Sequence, residues 1–145
     1  IKGDFKMAGS LTDYAEELAL NMLFRNTGTM PSAIYLGLST SLVDETSTLA
    51  SITEEDDSGY ARQTVTFAAP AQSGTGPAEV ENDAQIEFGP WTVAADLPIT
   101  HAFLCDAETG TSGNILAYFD LPSSKQPGAG ESLLVTIGNC SFSLD

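Results

Sequence analysis

Apolar and polar residues alternate along most of the chain after Pro31, which predicts β-strands because successive side chains of a strand point to opposite faces. In residues 33–39, for example, Ile34, Leu36 and Leu38 alternate with polar or smaller neighbours. Clusters of Gly, Pro, Asn and Asp separate the segments, as in all-β sandwiches and barrels. The pattern predicts a mainly β fold, an antiparallel β-sandwich or barrel-like domain. About seven strands are predicted, over residues 33–39, 60–67, 84–93, 99–105, 114–121, 132–138 and 140–144.

One N-terminal segment, residues 10–25, has the period of an α-helix instead. Ser10, followed three residues later by Asp13, resembles a capping box with Asp in place of the usual Glu. Asn26 and Gly28 supply a stop signal after the segment. The apolar residues that would share one face are Leu11, Ala15, Leu18, Met22 and Leu23. We expect this face to pack on the sheet or to plug one end of it.

The length of 145 residues suits one domain with its own hydrophobic core. We expect a single β-rich domain over residues 10–145, preceded by an N-terminal arm over residues 1–9. The sequence does not begin with methionine, and Met7 is an alternative start. If residues 1–6 are native, we expect them to form a short exposed arm.

The charge of the chain limits the partners it can have. Twenty Asp and Glu against five Lys and Arg give a formal net charge of −15. Such a surface repels nucleic-acid phosphates, whose binding depends on Lys and Arg, and it also repels anionic membranes. No apolar stretch approaches the roughly 20 residues that cross a bilayer, and no signal peptide is visible. We therefore expect neither nucleic acid nor a membrane as a partner.

The sequence offers little for catalysis, because His101 is the single histidine. Cys105 follows it by four residues on one predicted strand, about 13 Å away, whereas a Cys–His dyad requires contact at about 3 Å. We expect His101 to be a half-buried structural residue. For Cys105 and Cys140, two buried free thiols are favoured over a disulfide. Since no phosphate-binding glycine loop or zinc ligand cluster is visible, we expect no enzyme, no metal and no cofactor.

Residues 40–58 form a long polar and acidic connection that contains four consecutive carboxylates, Glu54 to Asp57. Such a run could bind Ca²⁺, which takes about six to eight oxygen ligands. The run lacks the alternating spacing and the central glycine of an EF-hand loop. A solvated acidic loop is therefore favoured, and cation binding stays open.

Three residues are candidates for structural or interface roles: Arg62, Tyr60 and Trp91. Arg62 lies in "GYARQTVTF" and would share the polar face of a strand with Tyr60, within reach of a carboxylate in so acidic a chain. An intramolecular ion pair that fastens the end of residues 40–58 to the sheet is favoured over a pair across a subunit interface. For Trp91, a place in the core is favoured over one as an exposed interface anchor.

Several distinctive sequence blocks follow one another in a fixed order over nearly the whole chain from Met7 onward. They are "LTDYAE" in the helix, "PSAIYLGL" and "GYARQ" in strands, "THAFLCDAETG" at a hairpin, and the C-terminal strand pair. In these blocks the chain resembles a widespread family of small tailed-bacteriophage virion proteins. Members of that family are often labelled phage tail fibre proteins or occur as capsid decoration (cement) proteins.

The resemblance implies a structural virion protein on the outer capsid surface. It would decorate and stabilise the capsid by binding the major capsid protein, and it would self-associate as a homotrimer or cluster. A tail, tail-fibre or collar component that contacts tail proteins or a host surface is the alternative, with Trp91 and Tyr60 as the plausible exposed aromatic residues. A carbohydrate-binding β-sandwich module is a third hypothesis, from a different class.

Overall fold

Eleven β-strands and one α-helix form the part of the chain that the structure describes, residues 4–72 and 74–144 of a computed structural model. They are β1 (Met7–Ala8), β2 (Ser10–Leu11), α1 (Asp13–Arg25), β3 (Tyr35–Ser39), β4 (Gln63–Thr64), β5 (Ala71–Gln72), β6 (Ala78–Glu81), β7 (Ile86–Phe88), β8 (Ile99–Cys105), β9 (Ile115–Lys125), β10 (Leu133–Val135) and β11 (Cys140–Leu144). The prediction of a mainly β fold with one N-terminal helix is confirmed. Strands β1, β2, β5 and β6 were not predicted, and β2, β5 and β6 are runs of two to four residues, too short to show a clear alternation.

The strands form two larger sheets and one two-stranded sheet in a sandwich-like arrangement, with no closed barrel in the described residues. The larger sheets have the strand orders β2-β9-β8-β3-β4 and β1-β11-β6-β5, and β10 pairs with β7. The pairing of β1 with β11 is parallel, and the other strand pairs are antiparallel. As predicted, the turn over residues 106–114 joins β8 and β9 as a hairpin.

The main hydrophobic core contains residues from all three sheets. Its largest fully buried side chains include Trp91, Phe88, Phe119, Met7, Leu36, Leu38, Ile99, Leu133 and Val135. Trp91 is therefore a core residue, as favoured from the sequence. Both cysteines are buried and free. Burial alone raises the pKa of the Cys140 thiol to about 12, so it stays protonated at neutral pH.

Part of the five-stranded sheet is buried on both faces, because residues 40–58 cover its outer face around Phe103, Cys105 and Ile115. Val43 and Leu49 from this connection pack with Phe103, Cys105 and Ile115 in a second core cluster. The expected solvated acidic loop over Glu54 to Asp57 is contradicted at Glu55, which is buried, whereas Asp56 is exposed. The same cover explains why β3 is buried almost throughout instead of alternating between a buried and an exposed face.

The expected exposed arm over residues 1–6 is contradicted within residues 4–6, and residues 1–3 lie outside the described residues. Phe5 and Met7 are buried in the main core, and β1 lies beside β11 with Met7 opposite Cys140. The carboxylate of Asp4 accepts hydrogen bonds from the backbone N–H (3.0 Å) and hydroxyl (2.7 Å) of Thr136. The alternation of polar and apolar residues from 4 to 8 is the strand signal that the arm hypothesis overlooked.

Helix α1 begins three residues later than predicted, because Ser10 and Leu11 pair with β9. Thr12, not Ser10, is the N-cap, and its hydroxyl accepts from the Ala15 N–H at 3.3 Å and donates to the Ile115 carbonyl at 2.6 Å. The end of the helix is as predicted, since Asn26 adopts the left-handed conformation there (φ 51°). No helix in the described residues is long and apolar enough to span a membrane.

The burial of α1 is shallower than its sequence pattern predicted. Ala15 is buried, and Leu11, Leu18 and Met22 are half-buried. Leu23, expected on the packed face, has 77% of its surface exposed. The helix therefore rests on the sandwich by a narrow stripe and leaves apolar residues in contact with solvent.

The buried N-terminal segment generates a stability prediction. We expect Met7→Ala to lower the free energy of unfolding by about 2–5 kcal/mol, because it leaves a cavity in a packed core. Urea denaturation followed by circular dichroism measures this change. The matched control is Lys6→Ala at the exposed neighbouring position, expected to change stability by less than about 0.5 kcal/mol. Equal effects of the two variants would contradict the assignment of residues 4–9 to the core.

Candidate functional site

Arg62 is the centre of a buried polar cluster, which we call the Arg62 junction. Its side chain is only 3% exposed. Its Nε and Nη2 donate to the two carboxylate oxygens of Glu54 at 2.8 and 2.6 Å, a two-point ion pair. Its remaining donors reach the carbonyl oxygens of Ala107 (2.7 Å) and Gly110 (2.9 Å). One side chain thus joins the end of the acidic connection to the β8–β9 hairpin.

The guanidinium group also lies over an aromatic ring. The Arg62 Cζ is 5.6 Å from the centroid of Phe103, within range of a cation–π interaction. Phe103 in turn lies against Gly37 on the neighbouring strand, where any side chain would collide with the ring. The glycine on β3 therefore permits the ring to lie close to the sheet, and the ring supports Arg62.

Tyr60 contributes the second contact to Glu54. Its hydroxyl donates to Glu54 Oε1 at 2.8 Å and accepts from the Leu38 N–H at 2.9 Å. Its ring stacks on Phe88, with the centroids 5.9 Å apart. Burial, and then the nearby charge of Glu54, raises the pKa of Tyr60 well above its ordinary value. Tyr60 therefore stays neutral and continues to donate its hydrogen bond.

The next carboxylate, Glu55, belongs to the edge of the sheet. Its N–H donates to the Leu38 carbonyl at 3.0 Å, and its Oε1 lies 3.3 Å from the Trp91 indole nitrogen, which donates to it. The Glu55 side chain is buried, and this donor from Trp91 is one of its compensating partners. The structure therefore brings Arg62, Tyr60 and Trp91 around one acidic run.

Asp57 fastens the acidic run to the segment after Trp91. Its carboxylate accepts from the backbone N–H groups of Gly59 (2.7 Å), Thr92 (2.9 Å) and Val93 (3.2 Å). These bonds, that of Thr92 first, lower the pKa of Asp57 to about 2. The carboxylate is thus held ionised by backbone donors and acts as a local brace.

The four carboxylates of the run have separate surroundings. No group of three or more His, Cys, Asp or Glu within residues 4–72 and 74–144 is arranged to hold a metal ion. Glu54, Glu55 and Asp57 each accept hydrogen bonds from within the protein, and only Asp56 of the four is fully on the surface. These separate structural roles were not predicted from the sequence, although the turn residues Asp-Ser-Gly at 57–59 are a signal for the Asp57 turn.

His101 does not belong to the Arg62 junction. It is half-buried, as predicted, and its Nε2 is 3.1 Å from the exposed Asp120 carboxylate across β8 and β9. Its Nδ1 lies 2.7 Å from the Thr100 hydroxyl. Cys105 instead donates to the Ala107 carbonyl at 3.2 Å, so the two side chains do not share a site.

The Arg62 junction predicts a large loss of stability when the arginine is removed. We expect Arg62→Ala to lower the free energy of unfolding by about 3–5 kcal/mol, because Glu54 loses its cation and two carbonyl groups lose the donor supplied by Arg62. Arg62→Lys should recover only part of this, since an ammonium group cannot form the two-point contact. Thermal and urea unfolding measure both effects. Arg25→Ala, which changes an exposed arginine on α1, is the matched control and should leave stability nearly unchanged. If Arg62→Ala unfolds like wild type, the junction is not a stabilising feature.

The lowered pKa of Asp57 predicts that the stability of the protein depends on pH in the acidic range. Its pKa in the folded protein, about 2, is below the ordinary 3.8, so its contribution is complete above about pH 3.8 and is lost as the pH falls towards 2. Asp57→Asn cannot titrate, and its stability should fall less steeply over that range. Urea unfolding midpoints at a series of pH values measure the slope. Asp56→Asn, at the exposed neighbour, should keep the wild-type slope, and the same slope in all three proteins would refute the role of Asp57.

The chain has been compared with known proteins. Its residues 10–143 match the model of the family described as podophage GP4 fiber I protein gp80. No curated protein matches the chain. The family match spans the helix, the five-stranded sheet and the whole Arg62 junction, and it confirms the resemblance to small phage virion proteins. The chain therefore belongs to the podophage GP4 fiber I protein gp80 family and is a structural phage protein.

Proposed function

We propose that this protein is a folded subunit of the phage fibre apparatus, which it joins through the exposed apolar face of α1. The observation that carries the proposal is the exposure of Leu20 (59%), Leu23 (77%) and Phe24 (79%). Side chains three and four positions apart are neighbours on a helix, so these three residues form one continuous patch. We call it the α1 patch.

A patch of this kind favours assembly with another protein over a free monomeric state. Single exposed apolar residues are ordinary on protein surfaces, but a contiguous group on one element is typical of an interaction site. Met30, 70% exposed, follows the helix closely in the chain and adds to the apolar surface available at this end. The rest of α1 carries charged residues, which keep the surrounding surface hydrated.

The Arg62 junction supports a structural role in another way. Its ion pair is saturated by hydrogen bonds within the protein, and Asp57 is held by three backbone N–H groups. Groups that are held this firmly in one arrangement brace a fold.

A capsid decoration protein is the second candidate, and the shape of the domain favours it. The described residues form a folded sandwich without long repeated strands or an extended coiled coil, which a fibre shaft would need. In this role the protein would lie on the outer capsid surface, bind the major capsid protein, and self-associate as trimers or clusters. Within a fibre, the same shape suits an attachment or terminal domain.

The copy number in purified particles tests the two candidates. Quantitative mass spectrometry should find this protein at a few per cent of the major capsid protein if it belongs to fibres. A ratio near parity, or a simple fraction of it, would overturn the fibre assignment and favour decoration. Complete absence from particles would overturn both candidates.

The role of the α1 patch is tested in the same particles. We expect Leu23→Ser and Phe24→Ser to reduce incorporation, whereas Ile137→Ser, which removes an apolar side chain of similar exposure (65%) elsewhere, should not. Normal incorporation of both patch variants would contradict attachment through α1.

A further inference from the structure

The α1 patch lies between two ends of unlike charge on the same helix. Asp13 and Glu16 occupy the first turn, and Arg25 occupies the last. The whole chain contains five Lys and Arg residues, and Arg62 is already ion-paired with Glu54. Arg25, in the last turn of α1 and exposed, is a cation placed beside the apolar patch.

An open apolar groove of about 570 Å³ begins beside the first turn of α1. It lies between the two larger sheets and reaches from Glu16 and Leu11 to side chains on both sheets. Its walls include Ile34, Phe67, Val80, Leu104, Leu116 and Phe142. Several of these residues belong to the main core but remain partly exposed, so the sandwich is not closed at this end.

We propose that a second copy of this chain occupies the groove, in a two-fold symmetric pair with the two α1 helices antiparallel. Glu16 and Phe24 are eight residues apart, about 12 Å along the helix. In an antiparallel pair, the last turn of each helix lies beside the first turn of the other. Phe24 and Leu23 of each copy then enter the groove of the other, and both contacts form at once because a two-fold interface uses the same surface twice.

Charge selects this arrangement over the parallel one. Two chains of charge −15 repel each other, and parallel helices would place their acidic first turns together. The antiparallel pair places Arg25 next to Glu16 of the second copy instead. It also sets the partially negative carbonyl end of each helix against the partially positive amide end of the other.

The inference rests on the proposed function, because it assigns the occupant of the same α1 patch. It is specific about symmetry: the contact joins two copies, whereas a three-fold cluster would require another surface. The occupant is a chain of known surface, so the contact can be tested on the isolated protein without phage particles.

Sedimentation velocity over a range of concentrations is the first test. The full chain should show a monomer–dimer equilibrium, and Phe24→Ser should raise the dimer dissociation constant at least about tenfold, as the loss of a central anchor does. Ile137→Ser is the matched control and should leave the constant unchanged, with circular dichroism showing that both variants are folded. Arg25→Glu should weaken the dimer, and adding Glu16→Lys to it should restore association.

A cross-link tests the geometry. A mixture of Glu16→Cys and Phe24→Cys proteins should form a disulfide between the two variants under mild oxidation. Neither variant alone should do so, because in the antiparallel pair equal positions lie far apart. The native cysteines are buried and should not react.

Three outcomes would overturn the proposal: a monomer at all concentrations, a dimer unaffected by Phe24→Ser, or a trimer without the mixed cross-link. None of them would by itself overturn the proposed function, which is measured by the copy number and incorporation in particles. If the patch variants are lost from particles while the isolated protein stays monomeric, the α1 patch binds another virion protein and the second copy is excluded.

Discussion

The ion pair of Arg62 with Glu54 is the interaction on which the covering of the sheet depends. Residues 40–58 carry many polar and acidic groups, yet they lie on the outer face of the five-stranded sheet and bury Val43 and Leu49 there. A carboxylate held this close to a buried surface must be compensated, and Arg62 supplies both its charge and its fixed geometry. The same guanidinium holds the β8–β9 hairpin through two carbonyl groups, so loop and hairpin are fixed together.

The strongest sequence signals gave correct elements, because the long central strands carry their own pattern. β8, β9 and the hairpin between them were found, and so was the end of α1 at Asn26. The errors lie where pairing with distant residues overrides local pattern. Ser10 was assigned to the helix because nothing local reveals that β9 offers it a partner. The buried state of Ser39 depends on a cover that is contributed by a distant segment.

The sequence allowed the residues of the candidate site to be predicted, but not which residues they contact. Arg62 within an acidic chain indicated an ion pair, and the intramolecular form is the one present. The choice of Glu54 among twenty acidic residues, and the sharing of Glu54 with Tyr60, follow from the path of the connection across the sheet edge. Local sequence does not encode that path. The same holds for Trp91, whose partner Glu55 lies 36 residues earlier in the chain.

The parallel pairing of β1 with β11 bears on how the domain resists tension. The first described strand enters beside Met7, and the last leaves beyond Ser143, pointing the same way as its neighbour. A force that pulled the two ends of the domain apart would slide these strands along each other. The bonds from Met7 N–H to the Asn139 carbonyl and from Gly9 N–H to the Ser141 carbonyl would then be strained together, not broken one after another. A domain fastened in this way resists a pull on its two ends through the simultaneous shear of a strand pair.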